Sequence, residues 1–427
     1  MKTLLILGAG TGGTMLANRM STMLDVDSLG WKIIVVDRNP DHYYQPGLLF
    51  IPFDMANPTD IVKPRQRFLP HKVELIFSTI ERIDPERNRV YLTEDHRIIH
   101  YDELVIATGS DIHPEETPGL LDGGAWHQNI FDFYTLPGAK NLSHFLSMWQ
   151  GGRLVVNIAE MPIKCPVAPL EFLLLADWFF RQRRMRDEVE LILATPLSGA
   201  FTRPAASQVL GNLLETRGIR VESDFNIAGV ETTSQVIRSY DERKINYDLL
   251  VTIPTHMGAT VLGDAGIGNE LNFVTVDKHT LQSKVYENIW AIGDAADVPT
   301  SKAGSVAHFM LDTLAHNIQR HTWGLTPLPD FDGHTNCFIE SGFDKAVMID
   351  FNYDTEPLPG KYPLPGIGPF TLLEETTANH RGKLAFEWVY WNILLKDRPL
   401  PVGSKFSMFG KNKIATVAPD VAGTLNS

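Results

Sequence analysis

The 427-residue chain has only two cysteines, Cys165 and Cys337. Two are too few for a disulfide framework or a four-cysteine zinc or iron–sulfur site, but enough for one redox pair. No uncharged apolar run reaches 18 residues, so no transmembrane helix is expected. Positive charge is also short: 38 Lys and Arg face 51 Asp and Glu, a formal net charge of −13. That balance excludes a general nucleic-acid binder, which needs a basic face for the phosphates. The 14 histidines show no H-E-x-x-H spacing, and no metal site is expected. The apolar start Leu4-Leu5-Ile6-Leu7 stops at Gly8, short of a signal-peptide core of roughly 7–15 residues. It reads as a strand, with Met1 expected to open the mature chain on the cytoplasmic side.

What is present begins with that strand. Residues 2–7 are followed by Gly8-Ala9-Gly10-Thr11-Gly12-Gly13, a helix over 14–24 and a second strand over 32–36 that ends at Asp37. Glycines at 8, 10 and 13 allow a tight turn and let backbone N–H groups approach a pyrophosphate at the helix N-terminus. Asp37 can accept the ribose hydroxyls of an adenosine. Strand, loop, helix, second strand and terminal acid together predict dinucleotide binding.

Two later segments extend the pattern. A strand over 101–109 ends in Ala107-Thr108-Gly109, and another over 286–294 ends in Gly293-Asp294. The order of glycine loop, Ala-Thr-Gly and Gly-Asp resembles the disulfide-reductase-like superfamily of flavoproteins with two dinucleotide domains. The resemblance implies FAD, with Asp294 on its ribityl chain and Thr108 and Gly109 nearby. It further implies cofactor contacts for Arg38, Gly293, Lys302 and Gly304. In that superfamily a second Rossmann unit for NAD(P)H is inserted before Gly-Asp. Here the strand over 153–158 and the helix over 169–185 bracket Ala159-Glu160-Met161-Pro162-Ile163-Lys164-Cys165-Pro166 instead of glycines. Side chains and prolines occupy the place where a pyrophosphate needs bare backbone, so nicotinamide binding is not expected.

Cys165-Pro166-Val167-Ala168-Pro169-Leu170-Glu171 resembles the cysteine-proline element of sulfide:quinone oxidoreductases and of flavocytochrome c sulfide dehydrogenases. Asn336-Cys337-Phe338 is similar to their later redox cysteine, and Lys383-Leu384-Ala385-Phe386-Glu387 to their C-terminal Lys-x-x-Phe-Glu element. Cys165 is expected to open the N-terminal turn of the long helix, where the dipole favours a thiolate. A disulfide between Cys165 and Cys337 beside a flavin is a two-electron relay, with Glu171 a proton acceptor or a plain helix-face carboxylate. Phe338, Phe386 and Tyr390 are either walls for a quinone ring or core aromatics. Many sulfide:quinone oxidoreductases carry a third cysteine that residues 110–164 lack. The loop His42-Tyr43-Tyr44-Gln45-Pro46 holds no thiol for flavin attachment, so FAD is expected to be noncovalent.

The charge is uneven. Residues 381–427 carry Arg381, Lys383, Lys396, Arg398, Lys405, Lys411 and Lys413 against Glu387, Asp397 and Asp420. Ten of the twelve residues 384–395 are apolar or aromatic. This tail fits either one leaflet of an anionic membrane or packing on the body of the protein. The expected fold class is α/β, with two Rossmann-like dinucleotide-binding domains, the second inserted in the first. Residues 1–110 and 266–320 form the FAD domain, 111–265 the second unit and 321–427 a C-terminal membrane-contact region. The expected protein is a peripheral membrane enzyme passing electrons from sulfide to a membrane quinone. A sulfide dehydrogenase serving a cytochrome partner and a type II NADH:quinone dehydrogenase are the alternatives, and homo-oligomerisation stays open.

Overall fold

Continuous apolar runs become strands buried on both faces, as Lys2–Leu7 and Trp31–Asp37 show. The computed structural model describes residues 1–24, 26, 30–94, 96–400 and 403–412. In chain order, the first elements are β1 (Lys2–Leu7), α1 (Thr11–Met23), β2 (Trp31–Asp37), β3 (Val73–Phe77) and β4 (Glu103–Ile106). Next come β5 (Ile130–Phe131), β6 (Gly152–Ile158), α2 (Ala168–Gln182), β7 (Val189–Ala194), β8 (Ile219–Glu222) and β9 (Leu249–Ile253). The remainder supplies β10 (Ile289–Ala291), α3 (Gly304–Thr322), β11 (Thr335–Gly342), β12 (Lys345–Phe351), β13 (Gly360–Leu364), β14 (Gly368–Leu372) and α4 (Thr377–Val389).

Three sheets organise the site. The first has the order β10-β4-β1-β2-β3 with every pair parallel, so Lys2–Leu7 and Ile289–Ala291 share one sheet. The second, β5-β9-β6-β7-β8, is also parallel. The third, β11-β12-β14-β13, is mixed and lies in the C-terminal part. In a parallel sheet the loops leaving the carboxyl ends of the strands gather at one edge, where ligands bind. The loops after β1, β2, β4, β6 and β10 are the glycine loop, Asp37-Arg38, Ala107-Thr108-Gly109, the Cys165 element and Gly293-Asp294.

Helix α1 starts three residues earlier than its apolar pattern suggests, because the glycine loop itself supplies its first turn. No side chain caps that end, leaving its N–H groups free for an anion. A Cβ on Gly13 would overlap the Gly8 carbonyl oxygen, so only glycine lets helix and strand pack this closely. Gly13→Ala is expected to cost about 1–3 kcal/mol as an overpacked contact. A thermal melt of the purified variant checks this, and an unchanged midpoint would contradict it.

Candidate active site

The three motif glycines do different work. Gly8 sits at φ +101°, and a Cβ there would overlap the Ala107 carbonyl oxygen. Gly10 has nothing within 4 Å of its Cβ position, so its backbone is open to a ligand. Asp37 accepts the Ala9 N–H at 2.7 Å and the Asn39 N–H at 2.9 Å, and pairs with buried Arg65 at 3.2 Å. Its oxygens keep lone pairs for a ribose. Arg65, absent from the sequence reading, also donates to the Asn39 carbonyl at 2.8 Å and so ties the two loops together.

Beyond Asp37 lies a cavity of about 580 Å³ lined by Arg38, Ile80, Asp111, Tyr134, Lys164 and Val261 among others. Arg38 and Asp111 form an exposed ion pair at 3.0 Å. Thr108 Oγ1 and Ser110 Oγ are buried without a protein partner, and Gly109 sits at φ +73° with open space at its Cβ. Gly293, at φ +71°, delivers Asp294. The Asp294 side chain makes no protein hydrogen bond, and burial pushes its carboxyl up against the opposing pull of Lys164 and Lys302. Orphaned hydroxyls, bare backbone and an unpartnered deep carboxylate fit a polar, phosphate-bearing cofactor. Gly304 opens α3 with clear space at its Cβ.

Lys302 lies two residues before α3. Its Nζ donates to the carbonyls of Asp294 (2.7 Å) and Ala296 (3.1 Å) and lies 3.6 Å from the Phe273 ring centroid. Burial pushes this ammonium down to about 8, with Asp294 opposing.

The two cysteines come from opposite ends of the fold into one apolar cluster. Both are free thiols. Cys165 is not in the first turn of α2; it lies three residues before Ala168, in the left-handed region at φ +47°. Its N–H donates to the Lys302 carbonyl at 2.6 Å and its carbonyl accepts from Ala168 N–H at 2.8 Å. Cys337 lies on β11 opposite Ile349. Each cysteine is half-buried. Burial pushes Cys165 well up, and Glu171 and Cys337 add to it; burial pushes Cys337 up to about 12. Desolvation therefore overrides the helix-dipole argument for a resting Cys165 thiolate.

The one cation opposing this is Lys383, which lowers both thiols. Its Nζ donates to Glu171 Oε1 at 2.7 Å and to the Phe338 carbonyl at 3.0 Å. Glu171 also accepts the Glu340 N–H at 2.7 Å. Burial alone would lower Lys383, but Glu171 and the cysteines hold it above its ordinary value. Lys383 opens the Lys-x-x-Phe-Glu element, which is the sequence signal for its place here.

The aromatic residues separate. Phe338 is half-buried and packs edge-on against Phe370 at 5.0 Å, and Phe386 is half-buried against the first core. Tyr390 is buried and bonds Thr11 Oγ1 (2.7 Å) and His42 Nε2 (2.6 Å), so it closes on the glycine loop rather than lining a wall with Phe338. Trp391, Leu394 and Leu395 are buried too, leaving Leu384 and Trp388 exposed. The basic tail is likewise partly consumed: Lys383 pairs with Glu171, Lys411 with Asp350 (2.6 Å) and Lys405 with Asp330 (3.0 Å). Lys413 and Asp420 lie outside the described residues.

Residues 2–148 match the pyridine nucleotide-disulphide oxidoreductase family. The parallel sheets and their loops agree with that match to an oxidoreductase of mixed α/β fold. Two relatives narrow the class. The mitochondrial sulfide:quinone oxidoreductase of Dictyostelium discoideum is 25% identical over 96% of this chain and 88% of that protein. The Mus musculus enzyme of the same name is 25% identical over 92% and 86%. The sulfide:quinone oxidoreductase structure from Aquifex aeolicus superposes with a TM-score of 0.74, at 20% identity and 92% coverage of both chains. Over nearly its whole length the chain is similar to the sulfide:quinone oxidoreductases, as its cysteine motifs suggested. Among the described residues no helix is long and apolar enough to cross a membrane, and no His/Cys/Asp/Glu group could hold a metal.

Lys383→Met strands the Glu171 carboxylate in the interior, which is expected to cost about 3–5 kcal/mol. The Lys383→Met/Glu171→Met double variant is expected to recover most of that loss. Urea unfolding of both variants checks this, and equal midpoints for wild type and Lys383→Met would contradict it.

Proposed function

We propose that the protein oxidises sulfide to zero-valent sulfur or polysulfide and passes the electrons to a membrane quinone through noncovalent FAD. The observation that carries this reading is the convergence of Cys165 and Cys337 on Lys383 inside one apolar cluster. With the pair oxidised to a disulfide, HS⁻ forms an S–S bond to one cysteine while the Cys165–Cys337 bond breaks, and the other cysteine leaves as a thiolate. Lys383 stabilises that thiolate in a site that otherwise disfavours charge. When bound, FAD would supply the acceptance of two electrons and their transfer to quinone.

The chain's own groups position that cofactor. Gly10, Thr108, Gly109, Ser110 and Asp294 suit its pyrophosphate and ribityl chain, and Asp37 with the cavity beside Arg38 suits its adenosine. We assign 1–110 and 266–320 to the FAD-binding unit and 111–265 to the second Rossmann-like unit. Residues 321–427 are assigned to quinone and membrane contact. The strand orders of the two parallel sheets support the first two assignments. Leu364, Ile367, Leu384, Trp388, Met408 and Phe409 are exposed in the third and support membrane contact.

Anaerobic titration tests the chemistry. Sulfide is expected to bleach the flavin, NADH to leave it oxidised, and quinone to restore it. Cys165→Ser and Cys337→Ser are each expected to abolish bleaching by sulfide while FAD stays bound, and bleaching in either variant would refute the relay. The membrane surface is tested separately: Leu384→Glu/Trp388→Glu is expected to reduce sedimentation with anionic liposomes at an unchanged rate of bleaching. Undiminished sedimentation would move the contact elsewhere.

A further inference from the structure

The hydroxyl of buried Tyr390 has no part in the chemistry described so far. Tyr390 opens the π-helical turn Tyr390–Leu394 that follows α4, a kind of turn often found at functional sites. Helix α1 holds the chain at the end of that turn: Asn18 donates to the Leu395 carbonyl at 2.9 Å, and Arg19 pairs with Asp397 at 2.5 Å. At its start, the Tyr390 hydroxyl lies 2.6 Å from His42 Nε2 and 2.7 Å from Thr11 Oγ1. Thr11 is the first residue of α1, whose N-terminal N–H groups no side chain caps.

The direction of this chain of hydrogen bonds follows from its inner end. Burial pushes His42 down to about 3 and pushes the Tyr390 phenol up, so the ring is neutral and the phenol keeps its proton. Nδ1 of His42 is buried without a hydrogen-bond partner. The Ala9 carbonyl, which faces this ring, already accepts from Arg65 and from Thr14 Oγ1. The single ring proton therefore finds an acceptor only from Nε2, in the Tyr390 oxygen. The Tyr390 O–H is then left to donate to Thr11 Oγ1. The Thr11 proton, with no protein acceptor among the described residues, is left for a ligand. An anion at an uncapped helix N-terminus is the ligand that takes it. We propose that His42 and Tyr390 are positioning residues for the cofactor, orienting the Thr11 hydroxyl to donate to the diphosphate of FAD. The C-terminal region thus completes the glycine-loop site from the far end of the chain.

The inference rests on the FAD reading, and the experiment keeps the two apart. Release of FAD from the loaded full-length protein is followed by the fluorescence of free flavin, and phosphorus NMR reports on the bound diphosphate. Thr11→Val is expected to speed release about tenfold or more, the worth of one hydrogen bond to a charged group. Tyr390→Phe, which keeps the ring, is expected to speed it about threefold or more. Both are expected to move the phosphorus resonances, whereas Thr11→Ser, which keeps the hydroxyl, stays near wild type. If Tyr390→Phe does not fold, His42→Leu takes its place in both measurements. Release at the wild-type rate overturns the proposal. Faster release with unmoved phosphorus resonances overturns it too, since a merely loosened loop would give that. A wild-type protein that carries no flavin and takes up none from added FAD overturns the cofactor reading beneath it.

Discussion

The site is organised around a charge that the fold has enclosed. The Lys383 ammonium binds Glu171 on α2 and the Phe338 carbonyl on β11 from its own place on α4. Glu171 completes the knot by accepting the Glu340 N–H. A buried ion pair gains little over an apolar substitute, but losing one partner is costly because the other charge remains in low dielectric. That asymmetry holds α2, β11 and α4 in one arrangement, and the same arrangement delivers Cys165 and Cys337 to one cluster. Position and chemistry share a cause.

The thiols sit where charge is disfavoured. Burial raises both, and the carboxylate of Glu171 raises them further. A resting thiolate is thus disfavoured, whereas the neutral disulfide of the proposed relay is compatible with this environment. On that proposal, charge appears when the disulfide opens, and Lys383 is already placed to receive it. Preorganised charge of this kind costs no reorganisation when the negative sulfur forms.

The chain's two ends are also coupled. Tyr390 bonds Thr11 of the glycine loop and His42 after β2, and burial pushes His42 down to about 3, so this contact is made by a neutral ring. Arg19 on α1 reaches Asp397 through two nitrogens (2.5 and 2.7 Å), and Asn18 donates to the Leu395 carbonyl at 2.9 Å. The segment from 390 to 397 therefore belongs to the packing of the first sheet's helix. What remains outward is a narrower apolar surface around Leu384 and Trp388, with the 364–367 turn and Met408-Phe409.

Local chemistry was legible in the sequence. Glycines at 8 and 13 declare their roles because only a missing Cβ permits those approaches, and the apolar run before them declares a doubly covered strand. Asp294 and the cysteine-proline element were legible as well, since each lies where a strand must end in a loop. The partners across the fold were not. Lys383 read as tail charge and as part of a motif, Tyr390 as a quinone wall or a core aromatic, and Glu340, His380 and Arg65 as nothing in particular. The dipole argument for Cys165 failed for the same reason, because desolvation depends on what surrounds the thiol. Backbone conformation follows from neighbours in the chain, which sequence displays. Burial and ion pairing follow from neighbours in space, and only the packing of α2, β11 and α4 decided those.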